Sequence, residues 1–348
     1  MSPVDNPILW QTEMERVLLG FSGGIDSCTS VQRLQNMGYQ PIALTIDTIG
    51  DASMLALARE KALALGIEWH AYDAREAFKR DVIDYFCSEY ALGHTPAPCT
   101  RCNSLIKWRI LASVADALGI EQIATGHYFN VVECGGLYYV AKGVDADKDQ
   151  SYYLWGLDQD ILRRAITPMG NAIKSDVKRA FEDKRESMGI CFLHGAPYAE
   201  FLCSYGVKMT EGEIVTSDGV VCGCHNGIAR YTIGQRRGVG IPEGMCVVGI
   251  DAERNSLIVG TKSMLHYHRL VVSGCNAVNE SELLTASDIT IKIRGIGRNP
   301  QLPVSVERCA EGYVVTTVDS AYAPAVGQPL VFYRDNLVIG GGIVVGFN

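Results

Sequence analysis

Val17-Leu18-Leu19-Gly20-Phe21-Ser22-Gly23-Gly24-Ile25-Asp26-Ser27-Cys28 joins an apolar run, a glycine turn and the start of a helical stretch. Val17 to Phe21 reads as a buried strand, and Cys28 to Met37 as the helix that follows. A glycine-rich strand-to-helix turn lets backbone N–H groups approach phosphate oxygens, and the helix N-terminus adds a dipole favouring negative charge. No Gly-Lys-Ser/Thr is present, so the turn does not place a lysine on β- and γ-phosphates in the Walker manner. Two glycines alone would suit an ordinary turn; the two serines and the aspartate argue for phosphate.

Around this turn, short apolar runs alternate with helical patterns. Pro41 to Ile46, Glu68 to Tyr72 and Gln122 to Thr125 are further strand candidates; residues 52–65, 74–90 and 104–118 are long enough for helices. Gly38, Gly66 and Gly119 stand where C-terminal glycines belong. The alternation predicts an α/β domain with a parallel sheet covered by helices on both faces. Ligands in such folds bind beyond the carboxyl ends of the strands, where the 22–27 turn and Thr125-Gly126-His127-Tyr128 would both lie. From about residue 206 short β-like runs separated by glycine turns take over, and residues 267–348 carry no good helix. We therefore expect a nucleotide-binding domain over 1–205, a small β-rich domain over 206–266 and a β-barrel or sandwich over 267–348.

The 348 residues carry a net charge of −8 and twelve cysteines. The charge argues against indiscriminate nucleic-acid binding but permits a local basic patch on an acidic body. The cysteines are too sparse for a disulfide scaffold. Residues 1–16 lack a signal peptide's apolar core and no run approaches a membrane span, so a reducing cytoplasm is expected.

Pro98-Cys99-Thr100-Arg101-Cys102-Asn103 is a Cys-x-x-Cys in a proline-rich loop before a helix. The helix N-terminus and Arg101 would both lower a thiol pKa. A structural zinc site would need more ligands, and Cys222, Cys224 and His225 lie in another domain. A thioredoxin-like disulfide does not suit the phosphate turn. The third reading pairs the loop with a distant cysteine, Cys191 in Gly189-Ile190-Cys191-Phe192, although an Ile-Cys-Phe run by itself suggests burial.

The Ser22–Ser27 turn resembles the PP-loop of ATP pyrophosphatases, which release pyrophosphate and transfer AMP to a substrate oxygen. Together with Pro98–Asn103, Gly126-His127-Tyr128, Lys148-Asp149-Gln150-Ser151-Tyr152, Gly189–Phe192, Tyr231-Thr232-Ile233-Gly234-Gln235-Arg236-Arg237-Gly238, Val326-Gly327-Gln328 and Gly340-Gly341-Gly342, it is similar to the tRNA-specific 2-thiouridylases. The motifs run in the family's order from residue 17 to the C-terminus.

The resemblance implies a Rossmann-like PP-loop domain of the adenine nucleotide alpha hydrolase type, ATP and Mg²⁺ as cofactors, and replacement of O2 of the tRNA wobble uridine (position 34) by sulfur. It implies a nucleotide site at Gly20, Phe21, Ser22, Gly23, Gly24, Ile25, Asp26, Ser27, Ile46 and Gly126, with Ile46 standing where many relatives have methionine. In the family's persulfide scheme Cys191 carries the sulfur and Cys102 helps release it, ending in a Cys102–Cys191 disulfide. Cys99 stands where many relatives have aspartate, and Cys99, Cys102 and Cys191 together would suit three corners of a [4Fe–4S] cluster. His127, Lys148, Asp149, Gln150, Arg294 and Gln328 match tRNA-contacting positions, though Gly295 replaces a family tyrosine. Partners implied are tRNA and a sulfur-donor protein, with no membrane. Arg163-Arg164, Lys184-Arg185 and Arg236-Arg237 are candidate phosphate contacts. The alternative is another PP-loop adenylating enzyme acting on a different RNA position; an ammonia-using synthetase would have no need of the cysteine pair.

Overall fold

The computed structural model describes residues 14–179, 189–294 and 298–348. Strands β1 (Glu15–Gly20), β2 (Tyr39–Asp47), β3 (Trp69–Asp73) and β4 (Gln122–Thr125) form a sheet in the order β3-β2-β1-β4, with every pairing parallel. Its central residues Val17, Leu18 and Leu19 are fully buried, because alternate side chains meet helices on opposite faces. Helix α1 (Ile25–Asn36) follows β1, and α2 (Ala52–Ala64) follows β2 with Asp51 capping its first turn.

Two helical stretches depart from the sequence expectation. The 74–90 pattern is interrupted by a π-helical segment at Lys79–Ile83. The 104–118 helix begins earlier, at Pro98, and passes through a second π-helical segment, Cys102–Lys107, into Trp108–Ala117. Cys99 and Cys102 therefore sit in the helix's first turns rather than in a preceding loop. Pro98 starts that helix without penalty, since its missing N–H falls where no intrahelical partner exists.

The β-hairpin of β5 (Phe129–Cys134) and β6 (Leu137–Lys142) leaves the parallel sheet and pairs through β6 with the last strand of the chain, Leu337 opposite Ala141 and Val338 opposite Val140. A short β7 (Ala165–Ile166) completes the parallel sheet beside β4. Residues 211–261 contribute a four-stranded sheet. The C-terminal strands lie in the order 290–292, 329–334, 337–347, 266–277, 312–322 and 304–309, which with the hairpin makes an eight-stranded sheet. A short helix, Glu280–Thr285, interrupts this all-β stretch, contrary to expectation.

The first and last regions share part of one core. Val331, Tyr333 and Val338 pack with Leu18, Trp108, Phe129 and Leu154. The Tyr152 hydroxyl donates to Pro329 O at 2.9 Å, and Asn276 Nδ2 donates to Trp155 O at 2.9 Å. Gly341 lies flat beneath Trp155, where any Cβ would fall 2.7 Å from the indole ring. Among the described residues no helix is long and apolar enough to cross a membrane.

Candidate active site

The phosphate turn occupies the carboxyl end of β1. Gly23 has φ +73°, and a Cβ there would fall 3.0 Å from the Ala58 α-carbon, so glycine is required both by the backbone and by α2. Gly24 starts α1 without any side-chain cap, which leaves the first N–H groups of the helix open to an anion. Ser27 Oγ donates to Gly24 O at 2.9 Å and lies 3.5 Å from Ser22 Oγ, placing both hydroxyls at the rim. Phe21 is pinned to β2 through Leu44 O and the Thr45 hydroxyl. Ile46 is the penultimate residue of β2, and Gly126, just after β4, packs against the Asp26–Ser27 backbone. The residues expected at a nucleotide site thus come from three adjacent strand ends.

Asp26 is held by two partners. Lys174 Nζ meets its two carboxylate oxygens at 2.6 and 2.7 Å, and the Tyr128 hydroxyl donates to Oδ1 at 2.7 Å. Lys174 is only 6% exposed, so its charge needs partners of this kind.

The thiols form the second cluster. Cys102 is buried; Cys99 and Cys191 are exposed. Cys191 opens a short 3-10 turn whose next residue, Phe192, is buried edge-on against Phe78 and Phe86, so the apolar neighbour anchors the segment and leaves the thiol outside. Burial expected for Ile190-Cys191-Phe192 thus falls on Phe192 alone. Cys99, Cys102 and Cys191 interact electrostatically with one another and with Lys107. Burial pushes the Cys102 thiol up to about 11, against the pull of Lys107, and raises Cys99 as well despite its exposed edge. Burial works against the Lys107 charge, yet its coupling to the three sulfurs outweighs that and its pKa is raised.

The expected thiol-activating cation was Arg101. Its Nε instead donates to Asp81 O, and its guanidinium stacks 4.1 Å from the Tyr85 ring centre. Lys107 is the cation coupled to the thiols instead; it and Cys102 stand at the two ends of the π-helical segment, whose hydrogen bonds span five residues. His127 lies beside this cluster, stacked on Trp108 with its Nδ1 2.8 Å from Thr125 Oγ1; burial, reinforced by Lys107, pulls its pKa down to about 3 and keeps the ring neutral.

All three regions of the chain meet at Thr95, just before the cysteine helix. Its N–H donates to Val326 O at 2.8 Å, its carbonyl accepts from Gln328 Nε2 at 2.6 Å, and its hydroxyl lies 2.7 Å from the Thr232 hydroxyl. Gly327, with φ +90°, lets the 326–328 turn come close to His94 and Pro96.

Residues 15–195 match the family model of the tRNA methyl transferase HUP domain, 199–261 that of the tRNA methyl transferase PRC-barrel domain, and 268–344 that of the aminomethyltransferase beta-barrel domain. A relative in Bacteroides fragilis, named tRNA-specific 2-thiouridylase MnmA 1, is 38% identical across 95% of this chain and 97% of its own. A second from that organism, named MnmA 3, is 39% identical across 95% and 94%, and one in Chlorobium phaeobacteroides is 37% identical across 96% and 98%. The chain belongs to the tRNA-specific 2-thiouridylase family.

In this 2-thiouridylase-family chain several expected RNA-contacting side chains are already engaged. Asp149 accepts from Gly143 N, Ser151 N and the Ser151 hydroxyl, and Gln150 Oε1 accepts from Tyr128 N at 2.9 Å. Both shape the loop that carries Lys148. Arg294 donates to Ile233 O, with a buried Nε that has no partner among the described residues. Arg163 pairs with Glu121 and Asp160, while buried Arg164 holds Ile120 O and Glu121 O, so that pair stabilises the sheet edge rather than facing phosphate. Arg236 and Arg237 are exposed, and Lys184-Arg185 lies outside the described residues.

The other metal readings find no support in the geometry. His225 spends both ring nitrogens on backbone, at Asn255 O and Gly227 N. Among the described residues no group of three His, Cys, Asp or Glu side chains is placed to hold a metal ion, Cys99, Cys102 and Cys191 included, so this thiol arrangement does not fit a cluster as it stands. Sequence reasoning missed Lys107, Lys174 and Thr95. A lysine five residues after a motif cysteine is the only local signal for the first.

Proposed function

We propose that this protein is an ATP-dependent tRNA uridine 2-sulfurtransferase acting on the wobble uridine. The observation that carries the reading is the gathering of Cys102 and Cys191 around Lys107, in a chain that also presents an uncapped glycine turn at α1. A urea-like carbonyl oxygen is a poor leaving group and has to be activated. ATP supplies the activation: O2 of the uridine bonds to the α-phosphorus, and the bond from that phosphorus to the bridging oxygen breaks, releasing pyrophosphate. The N–H groups at the start of α1, with Ser22 and Ser27, would receive the pyrophosphate. Mg²⁺ would offset phosphate charge, with Asp26 its nearest carboxylate in the turn; Lys174 beside it offers the phosphates a second cation.

Sulfur then arrives as a persulfide on Cys191, whose exposure suits loading by a sulfur-donor protein. The terminal sulfur bonds to C2. The Cys102 thiolate attacks Cys191 Sγ, the S–S bond to the terminal sulfur breaks, and that sulfur keeps the electron pair to become the thiocarbonyl as AMP departs. The products are thiolated RNA, AMP and a Cys102–Cys191 disulfide, which an external thiol must reduce before the next turnover. Burial keeps Cys102 protonated at rest, and Lys107 is the cation that favours its thiolate once the proton leaves. Neutral His127, stacked on Trp108, provides a hydrogen-bonding wall for a base taken out of its stack.

The test is reconstitution with ATP, Mg²⁺, a persulfide donor and unmodified tRNA, followed by nucleoside mapping. 2-Thiouridine at the wobble position supports the reading; ATP-dependent modification elsewhere, or none, overturns it. Iron and sulfide analysis of anaerobically purified protein decides the sulfur carrier: iron-free, active protein supports the persulfide route, and activity that tracks bound iron assigns Cys99, Cys102 and Cys191 to a cluster.

A further inference from the structure

A polar cleft of about 590 Å³ opens between the 142–149 loop and residues 290–292 and 299–301. Two lysines line it. Lys142 Nζ lies 4.7 Å from the Tyr333 ring centre and donates to Asp335 O; Lys292 Nζ lies 5.4 Å from the Tyr152 ring centre. Among the described residues neither ammonium has an ion-pair partner. Asp149 also lines the cleft, but its oxygens are occupied by Gly143 and Ser151. Asn299 spends Oδ1 on Ile293 N, which leaves its NH₂ as a further donor.

Two ammonium groups on one concave surface disfavour each other's charge. Burial lowers the Lys292 pKa, Asp149 opposes the shift, and the nearby Lys142 charge adds to it. The aromatic faces beneath the two ammoniums offset part of that cost. An anion between them would offset the rest. On a body with net charge −8, unpaired cations sharing one concave surface concentrate positive potential where an anionic ligand can use it.

We propose that this cleft holds a backbone phosphate of the RNA substrate, clamped by Lys142 and Lys292. The assignment rests on the proposed RNA-modifying function. The turn that follows explains why an RNA contact here would serve the chemistry. Asp149 forms one wall of the cleft, and a few residues on, Tyr153 O accepts from Asn103 Nδ2 at 3.2 Å, beside Cys102. A strand gripped at one end of this turn presents a neighbouring nucleotide toward the thiols at the other. Phosphate contacts set register in this way without reading sequence.

The experiment measures tRNA affinity from 50 to 200 mM salt for wild type, the K142M/K292M double variant and the K142R/K292R double variant, with ATP affinity measured alongside. Loss of one phosphate contact lowers the slope of log affinity against log salt by about 0.8, so the fourfold salt rise should weaken the methionine variant about threefold less than wild type. The arginine variant should keep the wild-type slope, which separates lost charge from lost folding. An unchanged slope in the methionine variant, with wild type binding tRNA, overturns the proposal alone. A loss confined to ATP affinity also overturns it, by assigning the cations to the nucleotide. Failure of wild type to bind tRNA overturns the functional reading and this proposal with it.

Discussion

Gln328 donates its side-chain amide to Thr95 O at 2.6 Å, across 233 residues of chain. The bond fastens the C-terminal sheet to the segment that leads into Cys99 and Cys102. The family resemblance assigns Gln328 to the RNA, but its NH₂ already holds the cysteine helix in place. We therefore expect Gln328→Ala to act through the geometry of the thiols. It should destabilise the protein by about 1 kcal/mol, the net worth of one hydrogen bond, and lower kcat for thiolation more than it weakens tRNA binding. Thermal unfolding, tRNA affinity and turnover measured on one preparation check this; a loss confined to RNA affinity would return Gln328 to the RNA surface.

Asp26, partly exposed, pairs with buried Lys174 at the phosphate turn. Asp26→Asn removes a charged partner of the ammonium; with Asp26 36% exposed, the expected cost is about 1–3 kcal/mol. Adding Lys174→Met removes the buried charge and should recover part of that stability. Pyrophosphate release should stay impaired in both variants, because neither restores the carboxylate at the head of α1. Denaturant midpoints and pyrophosphate release separate the two effects, and normal release from Asp26→Asn would remove Asp26 from the chemistry.

The thiols divide the reaction into halves. Cys191→Ser should abolish thiolation while RNA-dependent pyrophosphate release continues, since activation needs only the turn at α1. Cys102→Ser should still accept sulfur on Cys191 but accumulate the loaded persulfide, because its attack on the S–S bond is lost. Mass analysis of the intact protein reads that extra sulfur. Thiolation retained by Cys191→Ser would place the carrier elsewhere.

The parallel sheet was legible because its strands are apolar runs separated by helix-length segments that end in glycines. Pro96 and Pro98 made the cysteine helix read as starting late, since proline signals both loops and first helical turns. The π-helical segment at Cys102–Lys107 was not legible: a single widened turn leaves no periodic signature in six residues, and it carries both Cys102 and Lys107. The Leu337–Ala141 pairing and the Thr95–Thr232 contact depend on tertiary placement, which no local pattern encodes. Cys191 was legible only as part of an ordered motif set, because locally it looks like core; the structure shows Phe192 supplying that apolar character.

His127 gives the protein an acid-sensitive element beside the thiols. Its pKa falls to about 3 in the folded state from 6.5, because burial disfavours the charged ring and Lys107 repels it. Above pH 6.5 the ring is neutral in both states and contributes nothing to the pH dependence. Below 6.5 the unfolded chain takes up the proton and the folded chain does not, so stability falls with pH toward the folded value. The expected slope is up to about 1 kcal/mol per pH unit between pH 6 and 4. His127→Gln keeps a hydrogen-bonding side chain and removes the titration, so denaturant unfolding across that range should show a shallower acid limb than wild type. Equal slopes would mean that the ring takes its proton in the folded protein, and His127 would then be a cation beside the RNA base rather than a neutral wall.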